Sequence, residues 1–228
     1  MKTNSKKLVI SLLALITAGI SPNLFPISQA GYANLSDLAI TFLIPSIVFL
    51  LVLIVVSYLI GEKEASRQIL RGIFAGMIAT IGLEIVRETG FHLGGMPGDL
   101  PKLMGVLLLN QFALGPDVTS NIAGWSYHFW NGASFGIIYS ILFGRGKIWL
   151  GTLYGTQLGL GFMISPVVVA LGVGRFGVDF GWGFPITVIL AHLAFGTILG
   201  TLLFKWNKKD KSIFNTFKNI FTKKTISD

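Results

Sequence analysis

Six ionisable side chains stand within or at the ends of long apolar runs of this chain: Glu84, Arg87, Glu88, His92, His128 and His192. A charge in such surroundings is costly, so each marks either a functional site or a paired structural element. Glu84, Glu88 and His92 follow one another at i, i+4 and i+8 and climb one face of a helix as a ladder. Asn131 lies one turn beyond His128 in the same run. A carboxylate and imidazoles offered from facing helices are the donor set of a metal site in a helical bundle. Without cysteine, that set suits a divalent metal ion such as Zn, Fe, Mn or Cu(II). Two facing histidines could instead hold a b-type haem from both sides, and the same groups can pass protons along. The structural alternative is an ion pair of Glu84 or Glu88 with Arg87, with the histidines bonded to neighbouring helices.

The runs that carry these residues have the length of membrane spans, each of which needs about 20 apolar residues. Five are expected, at about 38–60, 72–93, 121–143, 148–171 and 184–204, with a shorter apolar segment at about 102–115 lying at an interface or re-entering. At about 1.5 Å per residue, Glu84, His128 and His192 fall about 10–13 Å below the outer ends of their spans. That shared depth groups Glu84, Glu88, His128 and His192 as metal or haem ligands or proton carriers of one outward-facing site. His92, Arg87 and Asn131 surround it. Arg175 and Asp179, in the glycine-rich outer segment 172–183, are expected at its mouth.

Composition agrees with an all-α integral membrane bundle. Of 228 residues, 52% are hydrophobic and 12% charged, where a soluble domain carries about 25% charge. The net charge of +8 is unevenly placed. Lysines and arginines gather in both tails and in the connections around 61–71 and 145–147, whereas the alternate connections carry Asp37, Asp99, Asp117 and Asp179. Basic segments stay on the cytoplasmic side, which places the C-terminus there, in a bacterial inner membrane. The same asymmetry accounts for the positive charge without nucleic acid, whose recognition needs basic residues on one soluble face with aromatic platforms. There are no cysteines, which excludes disulfides, thiolate sites and cysteine nucleophiles. Nucleotide-binding glycine loops, a G-x-S-x-G elbow and an H-E-x-x-H helix are also lacking. Transport, if it occurs, is then passive, ion-coupled or driven by a partner.

Three regions are expected. Residues 1–30 have basic flanks, a short apolar run from Leu8 to Ile20 and a small-residue end at Ser28-Gln29-Ala30, the features of a signal peptide. A short uncleaved first span is the other reading. Residues 31–204 form the bundle, with glycines at four-residue spacing (Gly72 and Gly76, Gly132 and Gly136, Gly151 and Gly155, Gly196 and Gly200) that let helices approach closely. Residues 205–228 form a basic amphipathic tail, with Phe214, Phe217 and Phe221 on an apolar stripe and Lys218 beside it, suited to the surface of an anionic leaflet.

The segment from His128 to Tyr139 reads H-x-x-N-G-x-x-F-G-x-x-Y. Together with Arg71 to Thr80 it resembles small uncharacterised bacterial polytopic membrane proteins, over about a quarter of the chain by residue count. The resemblance implies a multi-pass membrane fold and brings no activity with it. The residues themselves point to a periplasm-facing intramembrane Glu/His site that binds a metal ion or haem, or relays protons. The alternative is a non-catalytic accessory subunit of a larger membrane complex, with lipid and other subunits as partners. An enzyme acting on a lipid or quinone has the least support.

Overall fold

The computed structural model describes the backbone of residues 3–222 and the side chains of residues 5–218, and every regular element among them is helical. α1 (Thr3–Gln29) is followed by α2 (Leu35–Leu38), which passes through a π turn at Ala39–Leu43 into α3 (Ile44–Leu59). Next come α4 (Lys63–His92), α5 (Leu100–Leu108), α6 (Val118–Phe143), α7 (Ile148–Met163) and α8 (Pro166–Ala170). A 3-10 turn at Arg175–Phe180 leads to α9 (Gly183–Trp206) and α10 (Ile213–Thr222). Among the described residues four stretches are long and apolar enough to cross a membrane: Ser5–Gln29, Leu35–Leu59, Lys63–His92 and Gly183–Trp206. α6 has the length, at 26 residues, but carries Asn121, Ser126, His128 and Asn131; α7 has only 16 residues.

Two boundaries differ from the sequence reading. The connection expected over 61–71 is helical from Lys63 onwards, because Ala65, Ser66, Gln68 and Ile69 form a buried stripe that extends α4. The run expected over 148–171 breaks after Met163. Ser165 precedes Pro166 and sits at φ −73°, ψ 159°, the extended geometry a residue before proline prefers. The shorter segment expected over 102–115 is α5, which lies on α6 with Pro101 and Met104 buried. At the start of α6, Asp117 accepts from the Ser120 backbone N–H while Ser120 Oγ accepts from Asp117 N–H, a reciprocal capping box. Hydrogen bonds to the Asp117 carboxyl, that of the Ser120 backbone N–H first, hold it below its usual range.

α4 and α9 pack against each other at the centre, α6 lies on α4, and α7 lies on α9. The α4–α6 and α7–α9 crossings are both made through glycine. A Cβ on Gly72 would lie 2.6 Å from Ile137 Cα, and one on Gly151 would lie 2.5 Å from Gly200 Cα. Backbones this close leave no room for a side chain, and dispersion contacts between them replace the hydrophobic drive that lipid would not supply.

α1 packs along α6 and buries Ala14, Ala18, Leu24 and Phe25. Ser21 Oγ donates to Asn131 Oδ1 at 2.6 Å, and Tyr127 Oη donates to the Ser21 carbonyl at 2.8 Å. α1 is thus packed into the bundle in this structure.

The segment after α9 is tied in as well. Asp210 is buried and meets Arg71 at 2.8 Å and Arg67 at 3.4 Å. Buried Asn207 donates through Nδ2 to Ser140 Oγ and the Gly144 carbonyl. Gln68 Nε2 donates to the Lys211 carbonyl, and Lys7 meets Glu64 at 2.8 Å. α10 then lies on α1 and α6 through Ile213 and Thr216, leaving the Phe214 and Phe217 side chains largely exposed. The Phe221 side chain lies outside the described residues, as do Lys223 and Lys224.

Candidate functional site

α4 brings Glu84, Arg87 and Glu88 to the face it shares with α6 and α9. Glu84 and Arg87 are one turn apart and buried, about 6% and 5% exposed. Arg87 Nε donates to both Glu84 oxygens, at 3.0 and 2.8 Å, and Nη2 reaches Oε2 at 2.7 Å. Nη2 also pairs with Glu88 and stands 3.6 Å from Asp99. From α6, His128 Nε2 donates to Glu84 Oε1 at 2.8 Å. Glu84 therefore receives three donors, enough to hold a carboxylate away from water. Arg87 Nη1 and Asp99 Oδ1 are buried and have no hydrogen-bond partner.

Arg87, His128, Asn131 and His192 line one cavity of about 420 Å³. Its other walls are mostly apolar and include Leu83, Phe135, Leu158, Phe162, Val188 and Phe195. α4, α6, α7 and α9 supply most of the lining, with Pro22, Phe25 and Pro26 from α1, Leu100 and Met104 from α5 and Val167 from α8. A largely apolar space with a few convergent polar groups is the usual form of a small-molecule site. His192 Nδ1 donates to the Val188 carbonyl at 2.8 Å, and its ring stacks on Phe162. That hydrogen bond puts the proton on Nδ1 and leaves Nε2 as an acceptor.

The structure thus gathers Glu84, Arg87, Glu88 and His128 into one hydrogen-bonded group, with His192 on the wall of the adjoining cavity. Asn131 lines the cavity and is anchored by Ser21. His92 is exposed, with Nε2 4.0 Å from Glu88. Arg175 and Asp179 lie on the 3-10 turn and are not among the cavity-lining residues, because Asp179 folds back towards Gly174 within its own loop. Among the described residues, no three His, Asp or Glu side chains are placed to share a metal ion. The reason is chemical: the Arg87 guanidinium occupies the space between Glu84 and Glu88 where a cation would sit, and like charges repel. Both imidazoles expected for haem do face one cavity, with Nε2 of His128 already engaged by Glu84.

Several residues of the site carry no signal of their own in the sequence. Ser21, Pro22 and Phe25 sit in a run that reads as a leader. Asp99 sits in a turn-rich connection, and only its charge, one helix end away from Arg87, could have marked it. No known protein family, curated protein or solved structure matches the chain.

Proposed function

We propose that this chain is a multi-pass membrane protein of six spans, with α1 as the retained first span and the basic end of the bundle in the cytoplasm. Its Glu84–His128 pair is a proton-exchange site. It takes up and releases a proton at the wall of the cavity, and Glu88 and His92 lead from it to the outer surface. The observation that carries this reading is the 2.8 Å contact between His128, which lines that cavity with Arg87, and the buried Glu84. A carboxylate and an imidazole at hydrogen-bond distance can share one proton and change state together. Arg87 balances the Glu84 charge, so the imidazole is the group free to change its charge.

Histidine ¹⁵N spectra of the protein in lipid bilayers test this. With His92→Asn as background, only His128 and His192 contribute. His128 is expected to pass between its neutral and protonated forms as pH is varied, and Glu84→Gln is expected to alter that change. A His128 resonance that keeps one protonation state throughout overturns the proposal. An optical spectrum and metal analysis of the gently purified protein provide a second check. A Soret band or stoichiometric metal, lost in His128→Ala/His192→Ala, would replace proton exchange with a cofactor site.

A further inference from the structure

Of the residues lining the cavity, only Asn23, Gln157 and Gly161 are exposed. Asn23 belongs to α1, and Gln157 and Gly161 belong to α7, two helices that share no substantial packing. The exposed part of the lining is thus carried by α1 and α7, which places an opening in the gap between these two helices. In a bilayer such a gap faces lipid, and what enters must dissolve in lipid.

The polar end of the cavity selects the head of that molecule. Arg87 Nη1 is a buried N–H donor without a partner, on a side chain 5% exposed that lines the cavity. A buried donor left without a partner is destabilising, and an oxygen that reached it would remove that cost. His192 offers an acceptor at Nε2. A hydroxyl offers such a lining both an acceptor and a donor, whereas a carbonyl offers only an acceptor. An anionic head is opposed by the surroundings. Glu84, Glu88 and Asp99 all lie within 3.6 Å of Arg87 Nη2, and Lys102 adds one further positive charge, 3.3 Å from Asp99.

We propose that the cavity takes the hydroxyl head of a neutral, single-chain lipid alcohol, whose tail leaves through the gap between α1 and α7. The inference rests on the bilayer insertion proposed above. It does not require that His128 titrate.

The test uses three probes with one tail: farnesol, farnesyl phosphate and farnesyl methyl ether, each added to the detergent-solubilised full chain and read by native mass spectrometry. Farnesol is expected to give a one-to-one adduct. Farnesyl phosphate and the ether, which lacks the donor, are expected to bind at least about tenfold more weakly, the equivalent of about 1.4 kcal/mol. Gly161→Phe is the structural control, since a Cβ at Gly161 meets nothing within 4 Å and the larger side chain would stand at the rim. It is expected to lower farnesol occupancy by about tenfold or more while the protein keeps its melting temperature. No farnesol adduct, equal binding of the phosphate, or an adduct insensitive to Gly161→Phe would each overturn the proposal. Loss of the adduct with a His128 that still titrates would remove this inference alone, and a silent His128 beside a specific adduct would remove only the proton reading.

Discussion

Removing the Arg87 guanidinium would leave the buried Glu84 with one donor, His128. An ion pair held in such a place contributes little by its presence but destabilises strongly when one partner is lost, by about 3–5 kcal/mol. Arg87→Met is therefore expected to lower the unfolding free energy by about that amount. Glu84→Gln/Arg87→Met, which removes the stranded charge, is expected to recover most of it in a thermal or denaturant melt. A single variant as stable as the double variant would show that water already reaches the pair. At this scale the sequence was informative about Glu84 and His128, because an ionisable side chain in an apolar run is rare and depth along a helix can be counted. It offered a pairing of Arg87 with Glu84 or Glu88, but not that Arg87 meets both and stands beside Asp99. Whether a guanidinium lies between two carboxylates or beside them depends on rotamers and on Asp99, which a loop brings back to α4.

Among the elements, the segment from Asn207 to Lys211 changes how the tail should be probed. Read as a sequence, residues 205–228 are a basic appendage, and cutting them away is the obvious test of lipid binding. In the folded chain such a cut removes Asp210 from Arg67 and Arg71, and Asn207 from Ser140 and Gly144. Truncation after Lys205 is expected to lower the melting temperature by several degrees, since each buried polar group left without a partner costs about 1–3 kcal/mol. Phe214→Ser alters the exposed face of α10 and is expected to keep the melting temperature while weakening flotation with anionic vesicles. Unchanged flotation would end the surface-helix reading. The apolar period of α10 was legible because it repeats locally. The clamp was not, since it joins residues about 140 positions apart through single hydrogen bonds.

For the molecule as a whole, the role of α1 is the point on which topology turns. Its charge, length and small-residue end match a leader, yet its backbone and side chains supply Ser21 to Asn131 and Tyr127, and Pro22, Phe25 and Pro26 to the cavity. Cleavage after Ala30 would expose the α6 surface that buries Ala14 and Ala18. Intact-mass analysis of the protein taken from membranes is expected to show α1 present, and Ser21→Ala is expected to destabilise by about 0.5–2 kcal/mol. A mature protein beginning near residue 31 would leave the bundle without α1 and the cavity without one wall.

The gap between α1 and α7 also fixes the scale on which any occupant must be counted. If the gap faces lipid, the cavity equilibrates with molecules dissolved in the surrounding hydrocarbon, and filling depends on moles of occupant per mole of lipid or detergent. Doubling the buffer volume at constant detergent would then leave occupancy almost unchanged, whereas doubling the detergent would lower it. A dissociation constant expressed per litre would describe the sample; a mole fraction would describe the protein.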